Sequence, residues 1–195
     1  MSDLPRLLLL GDSIRLSYQP IVERLLAGRA QVLGPAENGQ FALYTLASLS
    51  RWLQRLGRPD VVHWNNGLHD VGHNPDRCPP QTPLETYLGN LRHILRRLRA
   101  ERAAVVWATT TPIAPGTPFH TDRWGWRNAE IEAYNVAAVE LMRGEGVGVN
   151  DLHAAVASDP DRYIGADRLH LTGTGQRKCA EAVVAAVDPL VAARA

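Results

Sequence analysis

The chain has 195 residues and nearly balanced charge, 21 Lys and Arg against 20 Asp and Glu, for a formal net charge of +1. That length suits one domain and suffices to bury roughly 70% of the surface of the unfolded chain. The balanced charge gives no electrostatic preference for nucleic acid or for an anionic membrane surface, so neither is expected as a partner. Cys78 and Cys179 are too far apart for a metal-site pattern and too few for a disulfide scaffold, and they read as reduced thiols. The amino-terminal segment lacks a secretory layout, and the four leucines at 7–10 are too few for a signal core or a membrane span. A cytoplasmic location without membrane insertion is therefore expected.

The elements alternate along the chain. The apolar run 7–10 reads as a first strand, and Ile21, Val22, Leu25 and Leu26 then follow a helical spacing. Residues 31–33 form a short second strand. Residues 41–56 form a helix with Leu46, Leu49, Leu53 and Leu56 on one side, and 61–64 a third strand. The next helix opens on Thr82 as N-cap, with Pro83 at the first helical position and Glu85 completing a capping box. Its apolar face is Leu84, Leu88, Leu91, Leu95 and Leu98, and Arg92, Arg96, Arg97, Arg99 and Arg102 lie on or beside it as a solvated surface. Residues 103–108 are a fourth strand.

A long irregular stretch at 110–126 follows, rich in Pro, Gly and Thr. Loops of that length are usually functional or disordered. A helix marked by Ile131, Tyr134, Ala138, Leu141 and Met142 comes next, then a fifth strand at 147–149 and a last helix at 173–187 capped by Thr172. Alternating strands and crossover helices favour a parallel sheet. The fold expected is a three-layer α/β/α sandwich, flavodoxin-like, with about five parallel strands. In such a fold ligands bind at the carboxyl ends of the strands.

The chemistry-bearing residues fall near those ends. Gly11-Asp12-Ser13 follows the first strand directly, which places a hydroxyl at the rim of the sheet; a Ser there also suits a helix N-cap. Asp167 and His170 stand three residues apart before the last helix. Serine, imidazole and carboxylate are the parts of a nucleophilic triad: the serine needs a base, and the base needs a group that holds its tautomer.

This arrangement resembles the SGNH or GDSL hydrolases, whose signature is spread over four blocks. The first block matches Gly11-Asp12-Ser13-Ile14, with Ser13 as the nucleophile. The second is a glycine after the second strand, matched by Gly39, whose backbone N–H the family uses as an oxyanion donor. The fourth is Asp-x-x-His, matched by Asp167 and His170. The resemblance covers nearly the whole chain, 1–195, as one such domain. It implies a serine esterase that cleaves a carboxylic ester through an acyl-serine intermediate, with no cofactor and no metal.

The third block departs from the family. Where the family has Gly-x-Asn-Asp, this chain has Asn65-Asn66-Gly67-Leu68-His69-Asp70. His69 stands in the place of the donor asparagine, and an imidazole N–H can also donate to an oxyanion. Asn66, and after it Asn65, are the alternative amide donors. His69 and His73 are four apart, a metal-binding spacing on a helix, but Gly72 and Asn74-Pro75 argue against a helix there. Thr111, Trp124 and Trp126 are candidate pocket residues; the two tryptophans could equally anchor the loop on the core, the role expected of Trp52 and Trp107 in their own elements. Residues 39–45 look most like the carbohydrate acetylesterase branch, which implies an O-acetyl ester of a sugar as the small-molecule substrate. The alternatives are a lysophospholipase or thioesterase of the same family and, in another class, a non-catalytic carbohydrate-binding protein on the same fold.

Overall fold

The computed structural model describes residues 4–76 and 79–194. Cys78 therefore lies outside the described residues, while Cys179 is buried and unpaired. Burial pushes the Cys179 thiol up to about 12, far from a reactive thiolate.

Five strands form one sheet: β1 (Arg6–Leu10), β2 (Gln31–Leu33), β3 (Val61–Trp64), β4 (Ala104–Ala108) and β5 (Gly148–Asn150). The order is β2-β1-β3-β4-β5 and every pairing is parallel. Leu7 to Leu10 and all of β3 are buried, as strands covered on both faces must be. The order reverses direction beside β1, so the crevice expected of an open α/β sheet lies at the carboxyl ends of β1 and β3.

Long helices cover both faces. On one side α1 (Ser13–Leu25) packs against α8 (Gly173–Ala192). On the other, α2 (Ala42–Leu56), α4 (Leu84–Ala100) and α5 (Asn128–Gly144) pack in succession. The molecule is thus the three-layer α/β/α sandwich that the alternation predicts. Trp52 and Trp107 are core, at 1% and 0% exposure. The exposed arginines of α4 include Arg99, which pairs with Glu145 across the surface. Among the described residues no helix is long and apolar enough to cross a membrane.

Two local expectations differ from what is observed. Three short helices, α3 (Leu68–Val71), α6 (Leu152–Ala157) and α7 (Pro160–Tyr163), have no counterpart in the periodicity. The capping box at Thr82 does not form: Pro83 is the N-cap of α4 and no side chain caps it. Thr82 is instead buried and donates its side-chain hydrogen bond to Asp70. Thr172 caps α8 as expected, accepting from Gly175 N at 3.1 Å.

Candidate active site

The site starts with the end of β1. Asp12, not Ser13, is the N-cap of α1, and its carboxylate accepts from Ile14 N at 2.9 Å. This division of labour leaves the Ser13 hydroxyl free of capping and puts its N–H at the first helical position, where no intrahelical acceptor exists. Ser13 is half-buried at the rim of the sheet.

At the other end of the chain, residues 164–171 form a tight turn. Ile164 and Leu171 bridge antiparallel, and Gly165 N donates to His170 O at 2.7 Å. Arg168 sits at its tip in the left-handed region, φ 66°. Asp167 Oδ1 accepts from Leu169 N at 3.1 Å and His170 N at 3.0 Å, which leaves Oδ2 to meet His170 Nδ1 at 2.6 Å. A carboxylate can only accept, so Nδ1 carries the proton and Nε2 is the acceptor. Ser13 Oγ lies 3.1 Å from that Nε2. The three residues predicted as a triad are therefore one hydrogen-bonded chain with the tautomer a general base needs. Partial burial opposes ionisation of Asp167, but the His170 ring and the two backbone N–H groups outweigh it and hold the carboxyl below its usual range.

Gly39 lies against the turn at Gly11-Asp12-Ser13. A Cβ there would come within 2.5 Å of Gly11 O, so only glycine lets the two loops touch. Its N–H donates to that same Gly11 O at 3.0 Å and its carbonyl accepts from Thr45 Oγ1 at 2.9 Å. Glu37, two residues earlier, fixes this loop to α2 by accepting from Trp52 Nε1 at 2.6 Å and Tyr44 OH at 2.7 Å. Those bonds, the one from Trp52 foremost, lower the Glu37 carboxyl to about 2. Composition gave no sign of this role for Glu37.

The third block separates into framework and rim. Asn66 is fully buried; its amide donates to Gln40 O at 3.1 Å and Thr45 Oγ1 at 3.0 Å and accepts from Trp64 Nε1 at 2.7 Å. Both amide protons are bonded within the protein, so Asn66 joins the Gly39 loop to β3. Asn65 likewise donates to Ala108 O at 2.8 Å. His69 remains on the rim, half-buried on α3, its ring edge-on to Trp124 at 6.4 Å between centroids. Helix α3 ends at Val71, and His73 turns away to Glu130 at 2.8 Å, so the two histidines do not share a helix face.

Asp70 is fully buried beneath the rim, with both oxygens near Ala42 N at 3.0 and 3.1 Å. Desolvation pushes its carboxyl up to about 7 against the hydrogen bonds from Ala42 and Thr82.

The 109–127 loop is held at several points. Asn135 grips Thr110 through its N–H and C=O, both at 2.8 Å, and Asn128 grips Ile113 in the same way at 3.0 and 2.9 Å. These asparagines are seven apart on α5, hence on one face. Trp126 Nε1 donates to Leu68 O at 2.7 Å and Trp124 stacks on Trp126 at 6.0 Å. Both indoles lie over Gly72, where a Cβ would sit 2.8 Å from Trp124 and 2.9 Å from Trp126. Arg168 ties the same loop to the 164–171 turn: its O accepts from Ala114 N at 2.9 Å and its Nε donates to Thr117 Oγ1 at 3.0 Å. A cleft of about 360 Å³ opens between the turn and the loop, with Trp124 and Trp126 in its wall. Thr111 is not part of it. Thr111 is buried against α1, lining a void of about 10 Å³ with Asp12 and Tyr18, and its hydroxyl has no partner among the described residues.

The structure resembles several solved hydrolases. An acetyl xylan esterase, AlAXEase, superposes with a TM-score of 0.77 at 19% identity, covering 93% of this chain and 99% of its own. A lipase/acylhydrolase from Enterococcus faecalis gives 0.77 at 21% identity, with coverage of 95% and 96%. A carbohydrate esterase family 3 protein from Talaromyces cellulolyticus gives 0.72 at 20%, with coverage of 96% and 98%. At these identities the likeness establishes the fold. A search of curated proteins found no match. The family model for GDSL-like lipase/acylhydrolases matches residues 9–178, and the chain belongs to that family.

Proposed function

We propose that this protein is a serine hydrolase that cleaves a carboxylic ester through an acyl-serine intermediate. The observation that carries the reading is the continuous chain from Ser13 Oγ to His170 Nε2, 3.1 Å, and from His170 Nδ1 to Asp167 Oδ2, 2.6 Å. Ser13 Oγ attacks the acyl carbonyl as His170 Nε2 takes its proton, and Asp167 stabilises the imidazolium that forms. The negative oxygen of the tetrahedral intermediate meets the Ser13 N–H and the His69 ring. Gly39 N–H joins them by sharing its proton between Gly11 O and the substrate. His170 then protonates the leaving alcohol. In the second half it draws a proton from water, which attacks the acyl carbon and frees the acid and Ser13.

For the substrate we infer an O-acetyl ester of a carbohydrate. Two of the similar structures are an acetyl xylan esterase and a carbohydrate esterase. The indoles of Trp124 and Trp126 offer in the cleft wall the kind of flat apolar face on which a sugar ring packs.

The test has two stages. A serine-directed phosphonate should label Ser13, and Ser13→Ala should abolish both labelling and hydrolysis; sugar binding without labelling would favour a non-catalytic binding protein. Acetylated sugars, aryl esters of increasing chain length and acyl thioesters are then compared by kcat/KM. A strong preference for long acyl chains or thioesters would replace the acetylesterase assignment by the lipase or thioesterase one.

A further inference from the structure

We propose that the alcohol part of the substrate carries a negative charge, held in the cleft beside the catalytic turn by Arg123 and Arg168. The inference rests on the esterase reading and specifies its substrate class: an ester of a ring-bearing alcohol with a carboxylate, such as an acetylated sugar acid.

Position comes first. His170 must give a proton to the departing oxygen, so whatever is bonded to that oxygen lies beside residues 167–170. Asp167 and Leu169 form one wall of the cleft, and Trp124 and Trp126 another. Trp124 also meets the ring of His69, and Asp167 of the same lining holds the ring of His170, so the cleft adjoins the proposed site through these two residues. Its volume of about 360 Å³ is of the size that holds a small molecule, roughly 300–1,000 Å³. Trp124 keeps 37% of its surface exposed although it stacks on a neighbour, which leaves indole surface open to a ligand.

Charge decides the class. The titratable side chains lining the cleft are His120, Arg123, Arg168 and Asp167. The carboxylate is already spent on the His170 ring and two backbone N–H groups. Arg168 is fixed by neutral acceptors, Thr117 Oγ1 at 3.0 Å and Pro115 O, so its position is set and its charge uncompensated. Arg123 donates to His120 Nε2 at 2.6 Å, which makes that histidine a neutral acceptor. Among the described residues neither arginine forms an ion pair with a carboxylate, whereas Arg29, Arg51, Arg99 and Arg127 each do. A carboxylate entering there gains charge-assisted hydrogen bonds without displacing an existing anion.

The experiment compares two acetate esters of the same shape, 4-acetoxybenzoate and its neutral analogue 4-acetoxybenzamide, with wild type, Arg123→Gln and Arg123→Glu. The quantity read is the ratio of kcat/KM for the charged ester to that for the neutral one, in which general damage cancels. Wild type is expected to favour the benzoate about tenfold at low ionic strength, as one charge-assisted contact allows. The ratio should fall towards one in Arg123→Gln, invert in Arg123→Glu, and shrink in high salt. A wild-type ratio of one or less, or a ratio indifferent to both substitutions, overturns the proposal while leaving the esterase intact. If neither ester is cleaved and the phosphonate fails to label Ser13, the esterase reading falls and takes this one with it.

Discussion

Replacing Asp167 by Asn should damage the enzyme more than replacing it by Ala. The reason is in the hydrogen bonds of the turn. Oδ1 accepts from two backbone N–H groups, Leu169 N at 3.1 Å and His170 N at 3.0 Å. In Asp167→Asn the amide oxygen must keep that place, because an NH2 there would face two donors. The NH2 then occupies the position of Oδ2, 2.6 Å from His170 Nδ1. A donor at that point requires Nδ1 to be the acceptor, so the ring proton moves to Nε2, facing Ser13 Oγ. The base is then occupied by its own proton. A triad forced into the wrong tautomer elsewhere loses about 10⁴ in kcat. Here the side chains of His170 and Asp167 are 48% and 53% exposed, so water competes for Nδ1 and a loss of about 10³, roughly 4 kcal/mol of barrier, is expected. In Asp167→Ala water replaces the carboxylate and both tautomers are accessible, so the loss should be about tenfold smaller. Steady-state hydrolysis of an aryl acetate measures kcat, and the rate of phosphonate labelling reports nucleophile activation independently. If Asp167→Asn retains more activity than Asp167→Ala, the backbone bonds do not fix the amide and the tautomer argument is refuted.

Three further outcomes follow from the same site. His69→Ala should lower kcat by about 10²–10³ with little change in KM, and His69→Asn should recover part of it, since either side chain can donate to an oxyanion; a nearly silent His69→Ala would remove His69 from the mechanism. Gly39→Ala drives a methyl to within 2.5 Å of Gly11 O, a backbone atom that cannot swing aside, and should destabilise the fold by about 1–3 kcal/mol in denaturant titration; unchanged stability would mean the two loops part easily. Burial raises the Asp70 carboxyl to about 7 from an ordinary value of 3.8, so the folded state holds its proton more tightly than the unfolded chain does. Its contribution to stability is full below pH about 4 and is lost as pH rises through about 7. Asp70→Asn, which keeps the acceptor for Ala42 N, should therefore gain in Tm over wild type between those limits; a difference in Tm that stays flat with pH would show that Asp70 ionises normally.

Much of this site is legible because its chemistry resides in short local patterns. Gly11-Asp12-Ser13 follows an apolar run of four leucines, and Asp167 to His170 is a single turn, so neither needs a distant partner to be noticed. What the residues alone do not reveal is how each polar group is spent. Ser13 reads as a nucleophile or as a helix cap, and the neighbouring Asp12 takes the cap itself, which removes that role from Ser13. Asn66 reads as a donor amide, but its protons go to Gln40 and Thr45, 26 and 21 residues away, contacts no local pattern encodes. Thr111 follows a strand like the other rim residues, yet it faces the layer beneath the rim. Helix α3 has four residues, barely one turn, so the rim position of His69 rests on the strand before it and not on any periodicity.

The meeting of Ser13 and His170, 157 residues apart, follows from topology more than from any contact between them. In a parallel sheet with crossover helices every strand points the same way, and each long helix that follows a strand starts at the carboxyl rim and runs back. Helix α1 begins at Ser13 immediately after β1, and α8 begins at Gly173, three residues past His170. These two helices pack together on one face of the sheet, so their amino termini are neighbours at one rim. A hydroxyl at the first position of one helix and an imidazole just before the cap of the other are thereby brought within reach. The same arrangement places two helix amino termini at that rim. Their positive ends favour negative charge there, such as the oxygen of the proposed tetrahedral intermediate. Parallel α/β connectivity thus supplies the approach of the proposed nucleophile and base. That leaves the loops after β2, β3 and β4, together with the turn at 164–171, as the parts that would select the proposed ester.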